Sequence, residues 1–241
     1  MKQSILSKEE IRCLEIYDTP TIANALERFE LRARTEGVTD ESIHQIIPYS
    51  KTFIGYVCTA TISASEPAQG DNRPLARRYF EQFHAFDGPT ISVIQDLDKK
   101  PVGSFWGEVN ATVHKALGCI ATVTDGGVRD LREVKTLGFG YFAKEVLVTH
   151  GYVHFEDCCC PVTIGNLQLN PGDLIAADEH GVVLIPAEAA KDLLQACRLT
   201  AMAETPILEG SRRAILAGIK PSVDEIMELR ESMYRLRKSH C

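Results

Sequence analysis

The sequence predicts an α/β fold built on a mixed sheet, and three patterns point to it. Between residues 90 and 155, β-branched runs alternate with helical stretches of about ten residues, the mark of βαβ units with parallel strands. From 161 to 186 the pattern becomes short β runs broken by turn residues, which reads as antiparallel hairpins. Helical segments flank this core, N-terminal at about 7–36 and C-terminal at about 205–241. Of the 241 residues 44% are hydrophobic and 24% charged, enough apolar surface to bury a substantial core. No internal repeat or low-complexity linker divides the chain, so 1–241 is read as a single domain.

Ser7 with Glu10 three residues on is a capping-box start for the first helix. In TIANALERFELRA (21–33), Ile22, Ala25, Leu26 and Phe29 recur at helical spacing, and GVTDESIHQIIP (37–48) reads as a connector. TFIGYVCTATIS (52–63) is a strand, and a helix over roughly 73–86 stops before Gly88-Pro89. TISVIQDL (90–97) is a buried strand, followed by a helix in GEVNATVHKALG (107–118) closed by Gly118. CIATVTD (119–125) is again a strand, DLREVKTLG (130–138) a helix closed by Gly138, and YFAKEVLVTHGYVHF (141–155) a strand. Turns follow at Gly165-Asn166, Pro171-Gly172-Asp173 and Asp178 to Gly181. A helix over 187–204 and a last amphipathic helix carrying Ile226, Leu229, Met233 and Leu236 on one stripe complete the chain.

Composition narrows the function classes. A formal net charge of -7 and short, interrupted Arg/Lys clusters do not favour a nucleic-acid binder. The N-terminus has no apolar core of signal-peptide length, and no run reaches the roughly 18 apolar residues of a membrane span, so a cytoplasmic protein is expected. The eight cysteines, at 13, 58, 119, 158, 159, 160, 197 and 241, lack CxxC pairs and disulfide-scaffold density. Neighbouring side chains of Cys158-Cys159-Cys160 on an extended chain point to opposite faces, so reduced structural thiols are expected rather than a metal site.

The stretch VTDGGVRDL (123–131) supports two readings. In one, Asp125-Gly126 ends a strand, Asp130 caps the next helix with Glu133 in a variant of the capping box, and Arg129 is a surface charge. In the other, the carboxyl end of a core strand is where open α/β sheets place ligands, and adjacent glycines let a ligand approach the backbone. The helix start at Gly107 to Asn110 leaves N–H groups without intrahelical partners, a cradle for a carboxylate or phosphate. If the two strands are neighbours, Glu108, Arg129 and Asp130 converge. Arg129 then offers a planar fork for a carboxylate or carbonyl oxygen, and two carboxylates offer the hard oxygens that Mg²⁺ or Mn²⁺ prefers.

These motifs resemble the family that joins the regulator of ribonuclease activity A with the class II 4-hydroxy-4-methyl-2-oxoglutarate aldolases. The resemblance runs from DTPTIANALER through GEVNATVHKALGC, VTDGGVRD and PVTIG to PGDLIAADEHGVVLIP. The aldolases carry an acid, twenty intervening residues, then Arg-Asp; here Glu108 is followed by residues 109 to 128 and then Arg129-Asp130. The resemblance implies that Asp130 is the direct metal ligand, Glu108 the acid holding metal-bound water, and Arg129 the residue that binds the keto oxygen. It places the substrate carboxylate on the amides of Val109 and Asn110 beside Gly107, and draws a further acid, matched by Glu204, from a neighbouring subunit. It also implies a sandwich of the swivelling β/β/α type, assembled as a homotrimer or homohexamer with sites at subunit interfaces. The aldolases usually have Asp where this chain has Glu108; the longer arm would shift a bound water or let the carboxylate touch the metal directly.

The activity so implied is that of a divalent-metal-dependent lyase on a small 2-oxo acid, by retro-aldol cleavage to pyruvate, oxaloacetate decarboxylation, or both. The alternative is a non-catalytic trimeric regulator that binds an RNA-degrading enzyme. For His114, His150 and His180 no partner pattern is visible, so structural or solvent roles are expected. Asp173 and Asp178 read as turn residues bonded to nearby backbone. Trp106, the only tryptophan, either packs or lines the site.

Overall fold

Four strands with apolar runs form the parallel centre of the sheet: β2 (Phe53–Ser63), β3 (Thr90–Asp96), β4 (Cys119–Val128) and β5 (Gly140–Val146). One row across them reads Thr59, Val93, Val123, Phe142. Side chains alternate along a strand, so β2 addresses two layers. Its even positions, Ile54 to Ile62, face helices, and Phe53 and Val57 face the opposite side. The structure, a computed structural model, describes residues 4–239, so Cys241 lies outside the described residues.

Antiparallel strands complete the sheet. β9 (Leu174–Asp178) pairs with the start of β2 and β10 (Gly181–Ile185) with β9. β6 (His154–Cys158) pairs with the far end of β2, and β1 (His44–Gln45), a short strand in the expected connector, with β5. The hairpin of β7 (Val162–Ile164) and β8 (Leu167–Leu169) packs Ile164 and Leu169 with Val57, Val93, Val123 and Phe142. The helices cover the other face. α1 (Lys8–Leu14), α2 (Thr19–Leu26) and α7 (Leu193–Ala217) lie over Ile54, Tyr56 and Val183. α3 (Arg73–Glu81), α4 (Glu108–Ala116) and α5 (Leu131–Leu137) enclose Tyr79, Trp106, Ala111, Val134 and Tyr141. The result is helices, sheet and hairpin in three layers, as expected.

Several boundaries differ from the sequence expectation. The second helix gives way to a 3-10 turn at Glu27–Phe29 and stops at Glu30, whose φ is 51°, because Phe29 is the last side chain on the core and Leu31 is exposed. The N-terminal helical region therefore ends near 30 rather than 36. The strand expected over 141–155 is two strands, because the chain leaves the sheet after Val146 and turns at Gly151 (φ 54°) before β6. The helix expected over 187–204 is a short α6 (Ala187–Ala190) and then α7, which runs past Pro206 to Ala217. Beyond Ala203 its partner is α8 (Val223–Ser239), with Gly210 leaving room for Leu229. Among the described residues no helix is long and apolar enough to cross a membrane.

Candidate metal and anion site

Two chain segments meet at the carboxyl end of β4. Trp106 forms an isolated parallel bridge with Val128, and the Arg129 N–H donates to the Trp106 carbonyl at 3.0 Å. Ser104 Oγ lies 2.6 Å from the Trp106 carbonyl and 2.7 Å from the Gly127 carbonyl, its single proton shared between them. This short ladder sets the start of α4 beside Arg129-Asp130. Gly107, the residue before the helix, has no side chain to cap it. The cap comes from across the ladder: the Glu108 N–H donates to Asp130 Oδ2 at 2.9 Å.

Asp130 thus serves a different helix from the one expected. It precedes α5 with φ 57° and ψ 45°, a left-handed conformation that a short polar side chain tolerates, and makes no side-chain cap to α5. A carboxylate at the start of α4 lies where the helix dipole favours negative charge. Gly107 makes the approach feasible, since a Cβ there would stand 2.6 Å from Asp130 Oδ2 and 3.1 Å from Arg129 Nε. The other two glycines act differently from expectation. Gly126 and Gly127 belong to β4 rather than to a turn, and a Cβ on Gly127 would lie 2.4 Å from the Leu147 side chain. They permit close packing, not a special backbone conformation.

Arg129 Nε lies 3.9 Å from Asp130 Oδ2, and Nη1 reaches the Val148 carbonyl at 3.4 Å. Its side chain is 35% exposed. Glu108 meets Asp130 through its backbone; its carboxylate is exposed. Val109 is exposed, and Asn110 Nδ2 donates to the Phe105 carbonyl at 2.5 Å, pinning the first turn of α4. The start of α4, Gly107 to Asn110, therefore lies beside Arg129-Asp130.

Behind it lies a buried aromatic layer. His114, inside α4, takes the Tyr79 hydroxyl on Nε2 at 2.7 Å and holds the Asn110 carbonyl with Nδ1 at 2.6 Å. Burial lowers its pKa to about 4, so the ring is neutral and structural. Trp106 is 1% exposed and packs against His114 and Phe139, which settles its place as packing rather than lining. Sequence reasoning did not single out Tyr141, a fully buried side chain packed against Trp106 with ring centroids 6.4 Å apart. A tyrosine in an apolar strand gives no local signal of that position.

With this geometry in place, comparison with known proteins identifies the lineage. The family model described as RraA-like, Aldolase/RraA, matches residues 19–184, more than half of the chain. The chain belongs to the RraA-like family. Among its relatives, a candidate 4-hydroxy-4-methyl-2-oxoglutarate aldolase of Halalkalibacterium halodurans is 27% identical over 129 residues, 53% of this chain; the chain spans only 59% of that relative. Of solved structures, one described among novel cellulases from gut-associated microbes superposes with a TM-score of 0.71 at 20% identity, covering 83% of this chain and 87% of that one. Streptomyces coelicolor RraAS2, described as an unusual member of the RNase ES inhibitor RraA family, gives 0.64 at 20% identity, with 86% and 97% covered. These structural likenesses show the RraA-like fold.

Within this RraA-like chain the remaining candidates fall elsewhere. Glu204, on α7, accepts from Arg237 Nη2 at 2.7 Å, so its own chain's α8 engages it. Asp178 is buried and accepts from the Thr19 N–H, Thr19 Oγ1 and the His180 N–H at 2.6 to 2.9 Å, the structural role expected of it. Asp178, Glu179 and His180 form the only close group of three metal-ligating side chains among the described residues. Those bonds to Asp178 leave that group a poorer site than Asp130. Asp173 closes its turn on the Asn170 N–H at 2.7 Å, and His150 Nδ1 contacts the Gly151 carbonyl at 2.7 Å. The seven described cysteines are free. The extended-chain argument at 158–160 fails, because Cys159 has φ 57° and lies with its sulfur 3.8 Å from that of Cys158.

Asp130 fits a hard divalent ion: Oδ2 is anchored by the α4 amide and Oδ1 takes no hydrogen bond among the described residues. A carboxylate is a hard oxygen donor, which suits Mg²⁺ or Mn²⁺ with water filling other positions.

Proposed function

We propose that the protein is a divalent-metal-dependent lyase acting on a 2-oxo acid, by retro-aldol cleavage to pyruvate, by decarboxylation of oxaloacetate, or both. The observation that carries this reading is the bond from the start of α4 to Asp130, which gathers an anion cradle, a fixed cation and an anchored carboxylate on one surface.

Asp130, with Glu108 through water, would hold Mg²⁺ or Mn²⁺. The ion, when bound, supplies Lewis-acid stabilisation of negative charge on the substrate's keto oxygen. The Val109 and Asn110 amides receive the substrate carboxylate at the helix start. Arg129 sets its guanidinium against the keto oxygen, where charge grows as the carbon–carbon bond breaks. In the aldol case the substrate's C4 hydroxyl loses its proton, the C3–C4 bond breaks, and a pyruvate enolate and a carbonyl product result. Decarboxylation releases CO₂ and leaves the same enolate. Glu108, exposed at the helix start, takes the hydroxyl proton and returns one to C3. No lysine is required for a Schiff base.

A neighbouring subunit's Glu204 would complete the ligand set in a trimer or hexamer, and to do so it must release Arg237. A panel of 2-oxo acids, incubated with Mg²⁺ or Mn²⁺ with and without chelator, tests the reading through pyruvate release. Chelator-sensitive turnover of at least one member is expected. Failure of every member would favour the regulator of an RNA-degrading enzyme instead.

A further inference from the structure

We propose that Cys158 and Cys159 form a reversible oxidation site, at which hydrogen peroxide joins the two neighbouring thiols in a disulfide and a dithiol reductant restores them.

Adjacent residues of an extended strand send their side chains to opposite faces, so neighbouring cysteines on a strand do not meet. Here the strand stops between them. Cys158 is the last residue of β6, opposite Ala60 of β2, and Cys159 takes φ 57°, a left-handed conformation uncommon outside glycine. The Cys159 N–H donates to the Thr59 carbonyl at 3.1 Å, which pins this turn to the sheet. Both side chains consequently pack with the same helix-side core, and their sulfurs lie 3.8 Å apart. Cys160 packs instead with the hairpin-side cluster, which sets it apart from the pair.

Exposure gives the two thiols different parts. Cys159 is partly exposed and Cys158 is buried, so the oxidant meets Cys159 first. Burial and the adjacent sulfur push the Cys158 thiol up to about 12, while the Arg78 guanidinium pulls it the other way. Cys58, Cys119 and Cys197 are buried, and burial raises all three thiols, which removes them from first attack.

The Cys159 thiolate attacks the peroxide: an S–O bond forms, the O–O bond breaks, and hydroxide leaves a sulfenic acid behind. The Cys158 sulfur then attacks the Cys159 sulfur. The S–S bond forms, the S–O bond breaks, and the oxygen departs with the Cys158 proton as water. In sum, two thiols are oxidised to a disulfide and one peroxide is reduced to water. Adjacent Cα atoms stand about 3.8 Å apart, closer than an ordinary disulfide allows, so the bond is readily reduced.

The test treats the intact protein with hydrogen peroxide, denatures it, alkylates the remaining thiols and digests it with trypsin. Cleavage after Lys144 and Lys191 releases residues 145–191 as one peptide holding Cys158, Cys159 and Cys160 and no other cysteine. Untreated protein should take an alkyl group on all three. After peroxide this peptide should carry a single alkyl group, on Cys160, and dithiothreitol added before alkylation should restore the other two. Cys160→Ser should still form the disulfide, and Cys159→Ser should keep Cys158 fully alkylated. Full alkylation after peroxide, oxygen added to Cys159 with no disulfide, or a disulfide that includes Cys160 or Cys58 would each overturn the inference. Should Cys159→Ser not fold, the position of the alkyl group in the intact protein decides.

Discussion

Gly107 carries more of the candidate site than its lack of a side chain suggests. Adding one methyl there would push Asp130 Oδ2 from 2.6 Å and Arg129 Nε from 3.1 Å, moving the two charges the reading depends on. Gly107→Ala should therefore weaken Mn²⁺ binding by at least about tenfold, a change calorimetry would detect, while its φ of -154° is open to alanine and melting should hold. A second residue tests burial. Asp96 is 7% exposed, its Oδ2 is unpartnered, and burial raises its pKa from 3.8 to about 6, with Asp98 and Asp125 adding repulsion. The folded state binds this proton more tightly than the unfolded state does. Stability from the group is therefore complete below about pH 4 and is lost as pH rises through about 6. Asp96→Asn should stabilise the protein by about 2 kcal/mol at pH 8, with the gain shrinking toward pH 4. Urea melts of both proteins across that range would check the sign.

At the scale of elements, strands were more legible than helix ends. The apolar runs of β2, β3 and β4 state burial on both faces directly, and Gly138 and Gly118 mark helix ends with positive φ, 70° and 87°. The capping box at Ser7 and Glu10 appears as read. The cap at Asp130 does not, because sequence spacing identifies a residue able to cap but not which of two helix starts its carboxylate reaches. Likewise, the extension of α7 past Pro206 depends on α8 folding back along it, a contact that no local pattern encodes. From residue 204 to 237 no side chain is buried. Removing everything after Gly218 should therefore leave a cooperative melt within a few degrees of the full chain, by about 1 kcal/mol or less of core stability. A calorimetric scan of the truncated chain measures this directly; loss of cooperativity would show that the hairpin belongs to the core.

For the whole molecule, membership of the RraA-like family and the three-layer architecture agree, while the chemistry rests on one corner of the sheet. That corner was partly legible: the two strand–helix junctions were expected to meet if their strands are neighbours, and β3 and β4 are adjacent as that required. The burial of Tyr141 against Trp106 and Phe139 was not, since it depends on side chains from distant segments. The family resemblance implies a trimer or hexamer whose neighbouring subunit meets the site's rim, where Val109 and Val148 are exposed. Sedimentation should accordingly give the mass of three or six chains, and a monomer would leave Glu204 no route to the site. The most direct test compares the intact protein with Asp130→Asn, which keeps a side chain suited to the left-handed backbone and removes the charge. Mg²⁺-dependent pyruvate release from oxaloacetate should fall by at least about 100-fold in the variant, as a weakened hold on the ion that stabilises the keto oxygen's charge implies. Equal turnover in both proteins, or turnover indifferent to chelator, would contradict the account.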